Sequence, residues 1–239
     1  MIWMIFAAAC AFFIKGLCGF ANTLVFTTIL SFKANNISIT PVELLLGYPS
    51  NFILAWKERK SVQWKICIPL ALLVLLGNIP GIILLKNTDT RMIKILFGIV
   101  VIFIGTEMLF RERHKGQKQS SRLALGIIGF LSGMLCGLYG IGALLAAYVS
   151  RVTQDTKAFR ANLSIVFIAE NTFRLIIYSI TGIITLDIMR QAVLLIPAML
   201  AGLFLGIKSS AILDEGLVRK LVVIMLILSG CALVINNIL

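Results

Sequence analysis

The sequence predicts an all-α polytopic membrane protein of two inverted repeats, each one re-entrant helical hairpin plus three transmembrane helices. Three observations carry this expectation. Hydrophobic residues make up 59% of the 239 residues and charged residues only 13%, with mean hydropathy +1.01. A soluble domain carries about 25% charge, so lipid must solvate most of this surface. Two apolar runs are too long for one crossing and are broken by glycines, Lys15-Gly16-Leu17-Cys18-Gly19-Phe20-Ala21-Asn22 and Cys136-Gly137-Leu138-Tyr139-Gly140-Ile141-Gly142-Ala143. Finally, the basic residues are distributed unevenly between the loops.

The first repeat, 1–113, opens with the run 3–32. Its start lacks a basic n-region and a small-residue cleavage site, so it is read as mature protein rather than a removed signal peptide. As one straight helix it would extend on the order of 45 Å, against a hydrocarbon core of about 30 Å. A hairpin of two half-helices turning at the glycines fits, because helix is weakest there. Helices follow at 40–56, 66–85 and 92–110, each of crossing length. The second repeat, 120–239, has the same order: hairpin 123–150, then helices 158–181, 187–207 and 217–237.

The halves also match in detail. Gly77, Gly81, Asp89, Lys94, Leu96 and Gly105 stand at one constant offset from Gly202, Gly206, Asp214, Arg219, Leu221 and Gly230, and Asn51 falls opposite Asn171. A hairpin plus three crossings is an odd number, which turns the second half upside down, as in alternating-access transporters. With the second run as a hairpin, loops 57–65, 111–122, 151–160 and 208–220 share one face and hold fifteen of the twenty loop Lys and Arg. Positive-inside bias makes that face cytoplasmic and the protein a multi-pass cell-membrane protein. It also accounts for the net charge of +12 without nucleic acid as a partner. Asp89 and Asp214 precede matching helices as caps, and Glu107 reads as a boundary pair with Arg111.

Chemistry concentrates at the breaks. A returning half-helix begins near Phe20 and another near Ile141. Helix N-termini present unpaired N–H groups and about half a positive charge each, so two opposed ends form an anion cradle. Alternatively the glycines serve only close helix packing. Gly19, Phe20, Gly140 and Gly142 line the expected cradle, with Asn22 and Tyr139 as added hydrogen-bonding groups. Lys15, one residue before the first turn, puts an ammonium there unless it snorkels to an interface. In 158–181, Asn171 and Arg174 face the substrate, as does Asn51 in the other half beside Tyr48 and Ser50. Glu170, four residues before Arg174, is either a neutralising partner or the carboxylate that couples transport to a proton or the membrane potential.

Metal, cofactor and catalytic chemistry are not expected. The five cysteines, at 10, 18, 67, 136 and 231, form no CxxC pair, and the single histidine, His114, lies in a basic loop. A nucleophile with its base or a metal-ligand set is missing at membrane depth, so the protein is read as a non-enzyme.

The order and spacing of these stretches resemble the sulfite exporter (TauE/SafE) family over the whole chain. The resemblance rests on the two breaks, on Leu76-Gly77-Asn78-Ile79-Pro80-Gly81, and on Ala158-Phe159-Arg160-Ala161-Asn162-Leu163 followed by Asn171 and Arg174-Leu175. It departs where family members usually carry a proline after each glycine turn, here Val25 and Leu144-Leu145. It departs too where Ala21-Asn22 and Ala143 replace further glycines. The resemblance implies a secondary transporter exporting a small sulfur-containing anion such as sulfite or an organosulfonate. Import of thiosulfate or another small anion, with Cys18 touching the substrate sulfur, stays open, as do an anion channel and a homodimer.

Overall fold

The structure, a computed structural model, describes residues 2–31, 36–87, 91–111, 122–139, 142–153 and 155–238. Among them the chain is helical without strands. In order come α1 Ile2–Cys18, α2 Asn22–Ser31, α3 Asn36–Lys57, α4 Trp64–Asn87, α5 Arg91–Arg111, α6 Arg122–Tyr139, α7 Ala143–Val152, α8 Thr156–Ile180, α9 Leu186–Ile212 and α10 Glu215–Ile238.

Both overlong apolar runs are broken in two, but the arms are unequal. α1 has 17 residues and α2 has 10; α6 has 18 and α7 has 10. The short arms are about 15 Å long, half the hydrocarbon thickness, while the long arms approach full depth. The two half-helices expected from the sequence are therefore a long arm and a half-length one. The first break lies at Gly19–Ala21, where Gly19 has φ +90° and Ala21 φ +70°. Gly16, expected in the turn, stays helical. The chain turns where an αL residue allows it rather than at the first glycine. In the second break, Gly140 and Ile141 lie outside the described residues.

Helix ends follow from local capping. The Asp155 carboxylate accepts from the Ala158 amide at 2.6 Å, and the Thr185 hydroxyl from the Ile188 amide at 3.3 Å, each satisfying an orphan donor of a first turn. Asp214 accepts from the Gly216 amide at 3.0 Å, in line with its expected capping role; Asp89 lies outside the described residues. α8 starts at Thr156, so Arg160, read as a loop residue, is helical and buried. α9 runs on to Ile212 because Lys208 and Ser209 do not break a helix.

Packing pairs α1 with α9, α4 with α6, α5 with α10, and α3 with α8. If α1–α2 is exchanged with α6–α7, α3 with α8, α4 with α9 and α5 with α10, this set of pairs maps onto itself. The glycines that repeat at constant offset sit at these crossings. A methyl at Gly206 would collide with the Phe13 carbonyl, at Gly202 with the Ala9 carbonyl, and at Gly16 with the Leu203 carbonyl. Gly77 meets the Phe130 carbonyl and Gly133 that of Val74, while Gly105 and Gly230 bring α5 and α10 together. Small residues let backbones touch where apolar burial gives no drive in lipid.

The exterior is apolar. Leu72 and Leu76 of α4, Phe103 of α5, Val193 and Phe204 of α9 and Ile235 of α10 all point outward. Among the described residues, α8 and α9 are each long and apolar enough to cross a membrane on their own. Charged and amide groups lie inside instead, including Lys15, Glu43, Asn51, Glu170 and Arg174.

Candidate functional site

Residues of both breaks line one cavity. Lys15 comes from α1, Phe20 to Leu24 from the first break and the start of α2, and Gly142 and Ala143 from the start of α7. Glu43 and Asn51 contribute from α3, and Phe167, Glu170, Asn171 and Arg174 from α8. The cavity is small, about 30 Å³, and large enough to hold water.

The backbone at both ends is a donor surface. In α2 the first amide in the helical ladder is that of Val25, bonded to the Ala21 carbonyl at 3.1 Å. The amides of Asn22, Thr23 and Leu24 precede it, and Ala21 has no side-chain acceptor to cap them. In α7 the ladder starts with Ala146 to Gly142 at 2.8 Å, which leaves the amides of Ala143, Leu144 and Leu145. Gly142, at the N-cap, supplies no side-chain cap. The Phe167 ring lies where a side chain at Gly142 would sit, so glycine is required for this end to close on the cavity wall. Two uncapped N-termini bordering one void concentrate positive potential there.

Four ionisable side chains share the site. Lys15 is 1% exposed, its Nζ donating to the Gly47 carbonyl at 3.3 Å and lying 5.7 Å from the Phe12 ring centroid. The burial excludes a snorkelling lysine. Arg174 Nε is 3.5 Å from Glu170 Oε1, both side chains almost fully buried. Glu43 accepts a hydrogen bond from Asn22 Nδ2 and another from Thr23, and it interacts electrostatically with Arg174 and Lys15. Several polar atoms of the site have no hydrogen-bond partner: both amide atoms of Asn51, Nε and Nη1 of Arg174, and Oε1 of Glu170. Orphaned buried donors cost about 1–3 kcal/mol each. Around a void they mark a place for a ligand.

Of the residues singled out in the sequence, Lys15, Phe20, Asn22, Asn51, Gly142, Glu170, Asn171 and Arg174 are brought together at the cavity. Gly19 is not on its wall; it forms the turn and packs over the Arg160 stem. Tyr139 ends α6, its side chain outside what the structure describes, and Gly140 is outside the described residues. Cys18 is buried but does not line the cavity. Tyr48 and Ser50 are spent elsewhere, on the Thr172 hydroxyl at 2.9 Å and the Gly47 carbonyl at 2.6 Å. Glu43 went unnoticed in the sequence. Among the described residues, no group of three or more His, Cys, Asp or Glu is arranged to hold a metal ion.

A second polar cluster supports the first break from behind. Arg160 Nη2 is 3.2 Å from Glu58 Oε1, and Nη1 bonds the Ser210 hydroxyl. Phe159 meets Phe20 edge-to-face with centroids 6.2 Å apart. Asn162 accepts from the Gln63 amide at 2.7 Å and donates to the Ala158 carbonyl at 2.8 Å. The Phe159-Arg160-Ala161-Asn162 stretch thus ties the start of α8 to the first turn, the end of α3, the start of α4 and the end of α9.

A family model described as sulfite exporter TauE/SafE matches residues 4–233, nearly the whole chain. No curated protein and no solved structure matches it.

Proposed function

The chain belongs to the sulfite exporter TauE/SafE family of membrane transporters, and from that premise we propose that it exports a small sulfur-containing anion, sulfite or an organosulfonate, across the cytoplasmic membrane by alternating access. The observation that carries this reading is the cavity bounded by two uncapped helix N-termini, with Lys15 and Arg174 in its wall and unpartnered donors on Asn51 and Arg174. In the proposal the amides of Asn22–Leu24 and Ala143–Leu145 meet the oxyanion oxygens. Lys15 supplies charge, and Arg174, Asn51 and Asn171 supply directed hydrogen bonds.

The cavity is small for a four-heavy-atom oxyanion, and in the proposal its walls part as the anion binds. That fits a carrier that closes around its load. The self-mapping helix pairs support the inverted repeat, and the basic loops 57–65, 111–122, 151–160 and 208–220 support a multi-pass protein with that face in the cytoplasm. No catalytic step is part of the proposal.

Exchange of Lys15 for Gln removes the charge and keeps a polar, slightly shorter side chain. Sulfite or sulfoacetate flux into vesicles carrying this variant should fall at least about tenfold, the equivalent of 1.4 kcal/mol. An undiminished rate would remove Lys15 from the site. Flux that saturates with anion concentration identifies a carrier, and flux that rises linearly identifies a channel.

A further inference from the structure

We propose that Glu43 is a proton-binding site linked to the anion: its carboxylate and the transported anion compete for the Lys15 ammonium, and the cavity takes the anion together with a proton on Glu43. The inference rests on the transport reading above and adds its coupling chemistry.

The argument starts from the two acids. Glu170 faces Arg174 on the same helix in an ion pair at 3.5 Å, without a hydrogen bond between the two atoms. Glu43, on α3, is held by the neutral donors Asn22 and Thr23, and among the described residues no cation touches it. Lys15 in turn rests on the neutral Gly47 carbonyl. Lys15 and Glu43 therefore sense each other across the site without being locked together. An incoming anion must share that ammonium with a fixed negative charge 3% exposed. Like charges crowded into a dry site are costly, and a proton on Glu43 removes the competitor. The Asn22 amide can then turn its donor toward the anion.

The groups that face Glu43 leave it the best placed to take this proton. From α1 comes Lys15, and from α2 only the non-ionisable Asn22 and Thr23. From α8 come Glu170 and Arg174. The described ionisable groups of α9, Asp187, Arg190 and Lys208, are all exposed. On α3 itself, Tyr48 bonds Thr172, and Lys57 lies at the far end. The step is a simple balance. One O–H bond forms on the Glu43 carboxylate with a proton from the water that delivers the anion, and it breaks when both leave on the other side. Nothing is oxidised or reduced. For a univalent anion the joint movement is electroneutral, and net export requires an internal excess of anion larger than the opposing pH gradient. For a divalent anion it carries one negative charge outward, and an inside-negative potential assists export.

The test uses purified full-length protein in proteoliposomes with sulfoacetate and thiosulfate, whose charges are constant between pH 6 and pH 8. Wild-type anion affinity should rise as pH falls, by up to about tenfold per unit for one linked proton, and an internal dye should record proton movement with the anion. Glu43→Gln mimics the protonated acid. It should bind the anion with no pH dependence and exchange it across the membrane, yet fail to concentrate it under a pH gradient. Wild-type saturable flux with no proton movement and no pH dependence overturns the inference and leaves the transporter reading standing. Proton coupling that persists in Glu43→Gln also overturns it. If wild type carries neither anion saturably, the transport reading fails and this inference fails with it. The wild-type measurements can still overturn the inference if the variant does not fold.

Discussion

Two arginines of α8, each paired with a glutamate, look alike and behave differently. Arg160 meets Glu58 at 3.2 Å, and Arg174 meets Glu170 at 3.5 Å. Around Arg160 the surroundings are closed: Nη1 holds Ser210, the stem lies against Gly19, and Phe159 packs on Phe20. Around Arg174 they are open. Nη1 has no partner, Asn51 beside it has none, and both border the cavity. Fourteen residues along one helix, the same pair of charges serves first as a staple and then borders the cavity proposed to bind the anion. The chemistry of the pair does not separate these roles; its surroundings do, a packed turn for Arg160 and a cavity for Arg174.

Neutralising both members of each pair gives the largest contrast. Arg174→Gln alone strands the buried Glu170 and should cost about 3–5 kcal/mol of stability, while Arg160→Gln strands the half-buried Glu58 and should cost less. The double changes Glu58→Gln with Arg160→Gln, and Glu170→Gln with Arg174→Gln, should each recover most of that loss in thermal unfolding. Transport should separate them. The Arg160 double should regain vesicle flux within a few-fold of wild type, whereas the Arg174 double should stay about a hundredfold down, near 2.7 kcal/mol. A Glu58–Arg160 double that is well folded and equally inactive would erase the distinction.

The same comparison can be made with uncharged side chains and smaller effects. Asn162 is fully bonded, with Gln63 and Ala158 as partners, and Asn51 is unbonded. Asn162→Ala should lower stability by about 1–3 kcal/mol, since it leaves the Gln63 amide without its acceptor, and should leave anion affinity intact. Asn51→Ala should do the reverse, with unfolding unchanged and affinity lower by about tenfold. Calorimetric unfolding with and without sulfoacetate reads both quantities, because a ligand bound only to the folded state raises apparent stability according to its affinity.

How legible each region was follows from what disguises a residue. The breaks were visible because glycines interrupt runs too long for the bilayer. Lys15 and Arg174 were visible because a charge deep in an apolar run is rare. Glu43 was hidden by the helix start. Read from residue 40, it is a boundary acid, but α3 begins at Asn36 through the polar Asn36, Ser38 and Thr40, which puts the acid two turns inside. Arg160 was hidden by its neighbours, since Arg151 and Lys157 made the stretch read as a basic loop. The repeating glycines were noticed as a pattern, yet their cause is a close crossing of α1 with α9 and α4 with α6. Sequence offset records such a crossing without saying which helices meet.

Ala21 stands between the two regions and gives the smallest and most discriminating test. Gly19 belongs to the staple, Ala21 lines the cavity, and Ala21 is the one described non-glycine residue with positive φ, at 70°. An L-residue held in that region costs about 1–2 kcal/mol, so Ala21→Gly should raise stability by about 1 kcal/mol after allowing for the looser unfolded chain. If the methyl only strains the turn, nothing else changes. The position argues for more, because the turn aims the amides of Asn22, Thr23 and Leu24, and a glycine there widens the range of directions α2 can take. Loss of pre-organisation weakens binding without removing a contact. The variant should therefore melt higher and bind sulfoacetate about threefold more weakly, two effects of opposite sign from one methyl group. Equal affinity at the higher melting temperature would mean that the staple alone holds the first N-terminus in place.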